Sequence, residues 1–512
     1  MGAGYALAMF DRRRFLQTLG ALGVSSACAS NAPRFASDPF KLGVASGYPF
    51  ANGMVLWTRL MGELEPAAIP VRWEVAEDEA MRKVVASGTE LARPEWAHSV
   101  HAEPNTLAPD RWYWYRFTAG DAQSPVGRTR TAPAAGAQAA RLRFAFASCQ
   151  QYEQGYFGAY RHMLSDDLDL IAFLGDYIYE SSWGREHVRK HNAPRPATLE
   201  DYRARYALYK SDADLQSAHL ACPWIFTWDD HEVENDYADD RSQDAMPREQ
   251  FLALRAAAYR ACYEHMPMPA SMRPSGPAMR IYGELGWGRL ASFYIVDHRQ
   301  YRAHQACPSR KGGSTMVDPE VCKALLDPSR SLLGGAQEAW LERAMGGSQA
   351  AWNILAQQTL MAQLDRRIGP GRQFWTDGWD GYPVARRRLL EFVNERKVPN
   401  TVVIGGDVHS HWVADLKPDF DDDKSPVVAS EFCGTSITSQ GAAQKQTDDR
   451  LAENSHIKYA RSDRRGYVRV EVTPRRWLAD LRAMETVKTR EAGCSTLRSF
   501  VVEDGKAGPI PA

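Results

Sequence analysis

The stretch Leu170-Ile171-Ala172-Phe173-Leu174-Gly175-Asp176-Tyr177-Ile178-Tyr179-Glu180 decides how this chain reads. An unbroken apolar run of strand length predicts a strand buried on both faces, and the glycine and polar side chains after it predict where it stops. The pattern recurs. Leu142–Ala147 ends in Ser148-Cys149-Gln150, and Trp224-Ile225-Phe226-Thr227-Trp228 ends in Asp229-Asp230-His231-Glu232. Residues 291–296 run into Asp297-His298-Arg299, and residues 401–404 into Gly405-Gly406-Asp407-Val408-His409-Ser410-His411. Strands separated by helix-length connections predict an α/β domain. In open α/β sheets, ligands gather beyond the carboxyl ends of the strands. A single Asp there is commonly a helix N-cap. Repeated strand ends carrying Cys, Asp, Tyr, Asp-Asp-His and Asp-x-His are poorly explained by capping.

Upstream, residues 40–131 read as short strands with turns. Val71-Arg72-Trp73-Glu74-Val75 alternates, as does Trp112-Tyr113-Trp114-Tyr115-Arg116-Phe117 ahead of the turn signal Gly120-Asp121. This spacing predicts a small β-sandwich, followed by a small-residue linker over 132–140. The 512 residues leave room for two or three domains, and the 44% hydrophobic and 24% charged composition excludes a disordered or collagen-like chain. Lys+Arg 62 against Asp+Glu 63 leaves a net charge of −1, so no basic field exists for nucleic acid as a main partner. The 15 Trp and 21 Tyr suit β-rich packing and aromatic-walled clefts.

The N-terminus reads as an address. Asp11-Arg12-Arg13-Arg14-Phe15-Leu16-Gln17 is a twin-arginine pattern, followed by an apolar stretch over 19–24 and the small residues Ser25-Ser26-Ala27-Cys28-Ala29-Ser30. Residues 1–29 are expected to be a signal peptide cleaved after Ala29, with Met9 as an alternative start. Lipidation at Cys28 is a rival, for which Ser25 is poorly suited. Twin-arginine cargo folds, and often takes up cofactors, before export, so a metal loaded in the cytoplasm is expected. The apolar stretch is far shorter than the roughly 20 residues a spanning helix needs. A soluble periplasmic or secreted monomer is expected, with the twin-arginine export machinery as a partner and no stable membrane insertion. Of 8 cysteines, those besides Cys28 are odd in number. Cys307 with Cys322, and Cys222 with Cys262, are candidate disulfide pairs.

The strand-end residues specify a chemistry. Asp176 and Tyr179 sit three apart: a carboxylate there can bridge two cations, and a phenolate suits a strongly Lewis-acidic metal such as Fe(III). Cys149 offers a thiolate, which suits a transition metal and not Mg or Ca, and His409 offers an imidazole. Asp229, Asp230, Asn235 and Asp407 are hard oxygen donors suited to Ca or Mg. The two donor sets predict a mixed-metal centre. Two cations about 3.5–4 Å apart polarise a phosphoryl oxygen, lower the pKa of water and stabilise the leaving oxygen.

The runs Ala147-Ser148-Cys149-Gln150, Gly175-Asp176-Tyr177-Ile178-Tyr179-Glu180, Asp229-Asp230-His231-Glu232-Val233-Glu234-Asn235 and Gly406-Asp407-Val408-His409-Ser410-His411-Trp412 resemble the alkaline phosphatase D (PhoD-like) family of calcineurin-like metallophosphatases. Lys41-Leu42-Gly43-Val44-Ala45-Ser46-Gly47-Tyr48-Pro49 and Val55-Leu56-Trp57-Thr58-Arg59 are similar to its N-terminal β domain. The resemblance implies a four-layer α/β metallophosphatase sandwich, helices flanking two mixed β-sheets, over residues 141–500. A small all-β Ig/fibronectin-like domain over 38–131 precedes it.

The implied activity is hydrolysis of small phosphate monoesters and diesters through metal-activated hydroxide or oxide. The implied cofactors are one Fe(III) and one or two Ca2+, with Zn2+ or Mg2+ as weaker alternatives. Carried over by position, Cys149, Asp176, Tyr179 and His409 match the iron ligands, with Asp176 bridging to calcium. Asp407 and Asp230 match calcium ligands, and Asn235 and Asp229 are further calcium candidates. His231 would protonate the leaving alkoxide. Arg299 or Arg302 would clamp phosphate oxygens, although His298 stands where the family leads one to expect Thr. His411 is a further catalytic candidate whose structural reading is equally open. Residues 440–461, polar and placed after the last motif, are a candidate lid, a point the sequence leaves open. Two alternatives stay open: a phosphodiesterase or phospholipase D-like enzyme acting on lipid head groups or cell-wall polymers, and a non-catalytic periplasmic binding protein.

Overall fold

A computed structural model describes residues 33–512. The expected export signal lies outside the described residues.

Two mixed sheets face each other. In the first, Leu142–Ala147, Leu170–Leu174 and Trp224–Thr227 run parallel, and Gly466–Thr473, Arg476–Met484 and Cys494–Glu503 extend the sheet antiparallel on one side. In the second, Ala291–Ile295, Trp352–Ala356, Thr401–Gly405 and Ala429–Cys433 run parallel, with Gly283–Trp287 and His411–Leu416 antiparallel. Leu170–Leu174 and Thr401–Gly405 are buried along their whole length, as their continuous apolar runs require between layers. Between the sheets, Phe144 meets Phe293 edge-on at 5.2 Å and Trp477 stacks on Phe432 at 5.9 Å. Leu199–Lys210, Ala213–Ala221 and Arg248–His265 cover the first sheet, while Gly335–Gly346 and Pro383–Arg396 cover the second. This is the four-layer arrangement that the family resemblance implies.

The N-terminal β region differs from a self-contained sandwich. Ile69–Ala76, Val84–Ala92 and Trp112–Ala119 form a separate sheet, and the strict alternation of buried positions in Trp112–Ala119 follows the sequence pattern. The opposing layer is not closed on itself. Val44–Phe50, Gly53–Arg59 and Ser99–Ala102 add to the first catalytic sheet, making it ten-stranded among the described residues. The link is Gly47 beside Trp224 in parallel register. A Cβ at Gly47 would fall 2.5 Å from the Pro267 carbonyl oxygen and 2.8 Å from that of Trp224, so the close approach needs glycine. Val44–Phe50 lies between two layers and is buried at all but its last position.

Residues 440–461 are two regular elements. They fold as the helix Gln444–Glu453 and the strand Ile457–Arg461, which pairs with His411–Leu416 at the edge of the second sheet. Cys307 and Cys322 form a disulfide, with Cα atoms 6.1 Å apart. Cys222 and Cys262 are free, buried thiols and do not pair. No helix among the described residues is long and apolar enough to cross a membrane.

Candidate metal centre

Parallel pairing brings the polar strand ends together. Phe173 lies in register with Ala147, and Leu174 with Thr227, so the turns after three adjacent strands open at one edge of the first sheet. The turns after Thr401–Gly405 and Ala429–Cys433 face them from the second sheet: Gly406 lies against Ser148, and Ile437 N–H donates to the Ser148 carbonyl over 2.9 Å. Cys149, Asp176, Asp407 and His409 all hold left-handed backbone, with φ of 58°, 59°, 63° and 52°. Such conformations cost of order 1–3 kcal/mol each and persist where surroundings enforce them. Cys149 N–H donates to the Gly175 carbonyl over 3.0 Å. The buried Glu232 carboxylate accepts from the backbone N–H of Asp176 (3.2 Å), Tyr177 (2.5 Å) and Asp229 (2.9 Å), tying two ligand turns together.

Three groups of side chains have donor atoms within 4.8 Å of one another: Cys149, Asp176 and His409; Asp176, Asp230 and His231; and Asp230, Asp236 and Asp377. Asp176 belongs to the first two and Asp230 to the last two. Tyr179 joins the first, its hydroxyl 2.8 Å from Asp176 Oδ2 and 3.3 Å from His409 Nε2. His409 Nδ1 meets the Gln440 carbonyl at 2.9 Å, which turns Nε2 toward the group. Asp407 is anchored by the Thr359 hydroxyl, which donates to Oδ2 over 2.6 Å.

The electrostatics fit a cation. Asp176 Oδ1 and Asp229 Oδ2 are buried with no hydrogen-bond partner, a costly state for a carboxylate that an ion relieves. Burial, with neighbouring carboxylates adding to it, pushes the Asp176 and Asp229 carboxyls well above the usual range and Asp407 up to about 7. Burial and then Asp176 likewise push the Cys149 thiol and Tyr179 phenol up. A bound cation inverts that ordering by favouring every anionic form at once. The donor set of thiolate, phenolate, imidazole and carboxylate suits a transition metal in the first group, and the all-carboxylate third group suits a hard cation.

His231 Nδ1 lies 2.6 Å from Glu180 Oε2, and the ring packs on Tyr179 with centroids 4.1 Å apart. Burial disfavours the imidazolium, but Glu180, Asp176 and Asp230 outweigh it and hold His231 well above the usual histidine range. Arg299 and Arg302 are placed differently from a phosphate clamp. Arg299 Nε donates to Asp229, and Nη2 lies 2.9 Å from Asp377 Oδ2 and 3.5 Å from Asp230 Oδ2. Arg302 Nη1 lies 3.2 Å from Asp377 Oδ1, and its Nε donates to the Tyr382 hydroxyl over 3.0 Å. Both are 2% exposed. They are internal counterions of the carboxylates and leave no fork facing open space.

The PhoD-like phosphatase family model matches residues 144–481, and the model of that family's N-terminal domain matches residues 26–133. The chain belongs to the PhoD-like phosphatase family. It is 46% identical to alkaline phosphatase D of Bacillus subtilis (strain 168), over 98% of this chain and 88% of that protein. It also superposes on the solved structure of PhoD with a TM-score of 0.89 at 46% identity, over 94% of this chain and 93% of that one. This PhoD-like phosphatase is accordingly a phosphoric ester hydrolase.

Within this PhoD-like phosphatase, the remaining sequence candidates separate. Asn235 borders the centre, with its side-chain amide donating to Gln243 Oε1 over 2.9 Å. His411 is wholly buried on its strand, where Nδ1 accepts from Thr435 N–H over 3.3 Å, and it joins none of the three groups. His298 is buried edge-on against Trp379 at 5.4 Å. Asp236 and Asp377 are ligand candidates that sequence reasoning missed. Asp236 lies past the quoted motif, and Asp377 follows only the two-residue strand Phe374–Trp375, too short to stand out in the sequence. Glu180 and Glu232 are visible in the motifs, but their tasks depend on partners 51 and 56 residues away.

Proposed function

We propose that this chain is an exported phosphatase that hydrolyses small phosphate monoesters and diesters at an iron–calcium centre. The observation that carries the reading is the Cys149, Asp176 and His409 group with the Tyr179 hydroxyl beside it, sharing Asp176 with an oxygen-rich neighbour. Cys149, Asp176, Tyr179 and His409 would hold Fe(III). Asp176, Asp229, Asp230 and Asp407, with Asn235 at the margin, would hold Ca2+. When bound, such a pair polarises phosphoryl oxygens and lowers the pKa of water.

The protein's own residues supply the rest. His231 has Nδ1 fixed by Glu180, so Nε2 is the nitrogen that passes a proton to the leaving oxygen. Glu180 sets the tautomer and keeps the ring protonated until transfer. Arg299 neutralises Asp229, Asp230 and Asp377, limiting the negative field that would repel an anionic ester. The twin-arginine pattern at Arg12-Arg13 supports export to the periplasm or medium after folding, with metals already in place.

The test is elemental analysis of protein recovered from the exported fraction, with a visible spectrum. Stoichiometric iron and calcium with a tyrosinate charge-transfer band is the expected result. A colourless, active enzyme containing only zinc would overturn the iron assignment. Full metal content with no hydrolysis of a monoester or a diester would favour the binding-protein alternative.

A further inference from the structure

One loop touches three of the four candidate iron ligands. Residues 434–440 run between the strand Ala429–Cys433 and the helix Gln444–Glu453. The loop is locked to the turn at Cys149. Ser439 N–H donates to the Cys149 carbonyl over 3.2 Å, beside the Ile437 bond to Ser148, and the Thr438 hydroxyl donates to the Gln151 carbonyl over 2.8 Å. Gln440 offers its carbonyl to His409 Nδ1. Tyr179 meets the loop through one side chain, that of Ser439, which is wholly buried. Ser439 Oγ lies 2.8 Å from the Tyr179 hydroxyl oxygen and 2.8 Å from the Cys149 carbonyl oxygen. It accepts from Gln151 N–H over 3.2 Å. Arg465 steadies the other side of the loop. Its guanidinium donates to the Ser436 hydroxyl over 2.6 Å and to the Ser439 and Ser462 carbonyls. The Ser436 hydroxyl in turn donates to the Ser439 carbonyl.

A hydroxyl has one proton to give. With Gln151 N–H directed at its oxygen, Ser439 donates either to the Cys149 carbonyl or to Tyr179. The groups around Tyr179 decide between them. The phenol's own proton is directed at Asp176 Oδ2. His409 directs Nδ1–H at the Gln440 carbonyl, which leaves Nε2 with no proton to donate. Once Tyr179 serves as a phenolate ligand, Ser439 is therefore the one side-chain donor within reach of its oxygen among the described residues. Hydrogen bonds to an ionised oxygen are shorter and roughly twice as strong as those between neutral groups. The proton goes to Tyr179.

We propose that Ser439 is a positioning residue that acts through Tyr179: its hydroxyl donates to the phenolate oxygen and draws charge from it. A phenolate bonded in this way gives less electron density to the metal it holds, which keeps that metal a stronger Lewis acid toward a phosphoryl oxygen. The same hydroxyl fixes the direction in which the phenolate oxygen faces the centre. The inference rests on the reading of the first group as an iron–tyrosinate site.

The test compares the full-length holoenzyme with Ser439→Ala, Ser439→Cys and Ser436→Ala, with iron and calcium measured on each. Ser439→Ala is expected to keep its iron and to move the tyrosinate charge-transfer band to longer wavelength. Losing a hydrogen bond to a charged acceptor is worth about tenfold in the preference for Fe(III) over Fe(II). The reduction potential should accordingly fall by about 59 mV, the one-electron equivalent of that factor. On p-nitrophenyl phosphate, kcat should fall by a larger factor than KM changes. Ser439→Cys, whose thiol is a weaker donor, should fall between the parent and Ser439→Ala. Ser436→Ala removes the loop's contacts with Arg465 and the Ser439 carbonyl but leaves the phenolate contact, so its band and potential should match the parent. An unshifted band and potential in Ser439→Ala at full iron content would overturn the proposal. Equal shifts in Ser439→Ala and Ser436→Ala would also overturn it, as would loss of iron from both Ser439 variants, because either result would make Ser439 a prop of the loop. A parent enzyme without iron or without the band would overturn the iron–tyrosinate reading itself, a result seen before any variant is compared.

Discussion

Asp176 is the residue on which two candidate ligand groups meet, and its Oδ1 is buried without a partner, as the proposed bridging role requires. Asp176→Asn is expected to lower metal content in both groups together; full retention of calcium in that variant, read by elemental analysis, would separate them. His231 carries a second expectation. If its Nε2 protonates the leaving oxygen, His231→Ala should lower kcat on an alkyl phosphate by about 100-fold or more. The same variant should lose far less on p-nitrophenyl phosphate, whose leaving group needs no proton. Equal losses on both substrates would remove the acid role. Cys149, Asp176, Tyr179 and His409 were legible because a strand end and an unusual donor type are both local features. Arg299 was misassigned because its type announced a clamp, while its three carboxylate partners lie 69 to 78 positions away in the chain and are adjacent only after folding.

At the scale of elements, the disulfide loop is the informative one. It joins Cys307 to Cys322, 15 positions apart. Within it, the Ser314 hydroxyl donates to Asp236 Oδ2, Thr315 N–H donates to Thr376 Oγ1 over 2.9 Å, and Met316–Val317 pairs with Phe374–Trp375. The loop therefore holds one carboxylate of the third group, Asp236, directly and fixes the strand and threonine that precede another, Asp377. Replacing both cysteines by serine should lower stability by about 3 kcal/mol from loop closure alone. Denaturant unfolding of the variant should match that of the parent under reducing agent; a difference below about 0.5 kcal/mol would mean that the pairing contacts hold the loop unaided. The strands of the sheets were readable from their apolar runs, and Trp112–Ala119 from its alternation. The helix and edge strand within 440–461 were not, because polarity there reflects an exposed face of a packed element as readily as a cover.

At the scale of the whole molecule, the N-terminal β region and the catalytic layers share one sheet, and Lys210 lies at their junction. The last residue of its helix, it is 1% exposed, with Nζ 4.3 Å from the Trp57 ring centroid and 5.7 Å from that of Tyr177. Its ammonium has no hydrogen-bond partner. Burial lowers it from an ordinary 10.5 to about 7. The folded state thus binds this proton more weakly than the unfolded chain, and the penalty is full below pH 7 and fades as pH rises from 7 toward 10.5. Lys210→Met should be more stable than the parent at pH 6–7, with the gap closing as pH rises to 9.5. Parallel thermal unfolding checks this, and a gap independent of pH would reject it.

The sequence by itself determined the α/β class, the order of the polar strand-end turns and the donor types they carry, while the four layers and the phosphatase activity came through the family resemblance of those motifs. Each of these rests on short-range properties: hydrophobic period, turn residues and donor type within a few positions. Only the tertiary structure decided which carboxylates share an arginine and that the N-terminal strands continue the catalytic sheet. Those outcomes depend on which distant segments become neighbours, and charge pairing and sheet edges are settled by that adjacency.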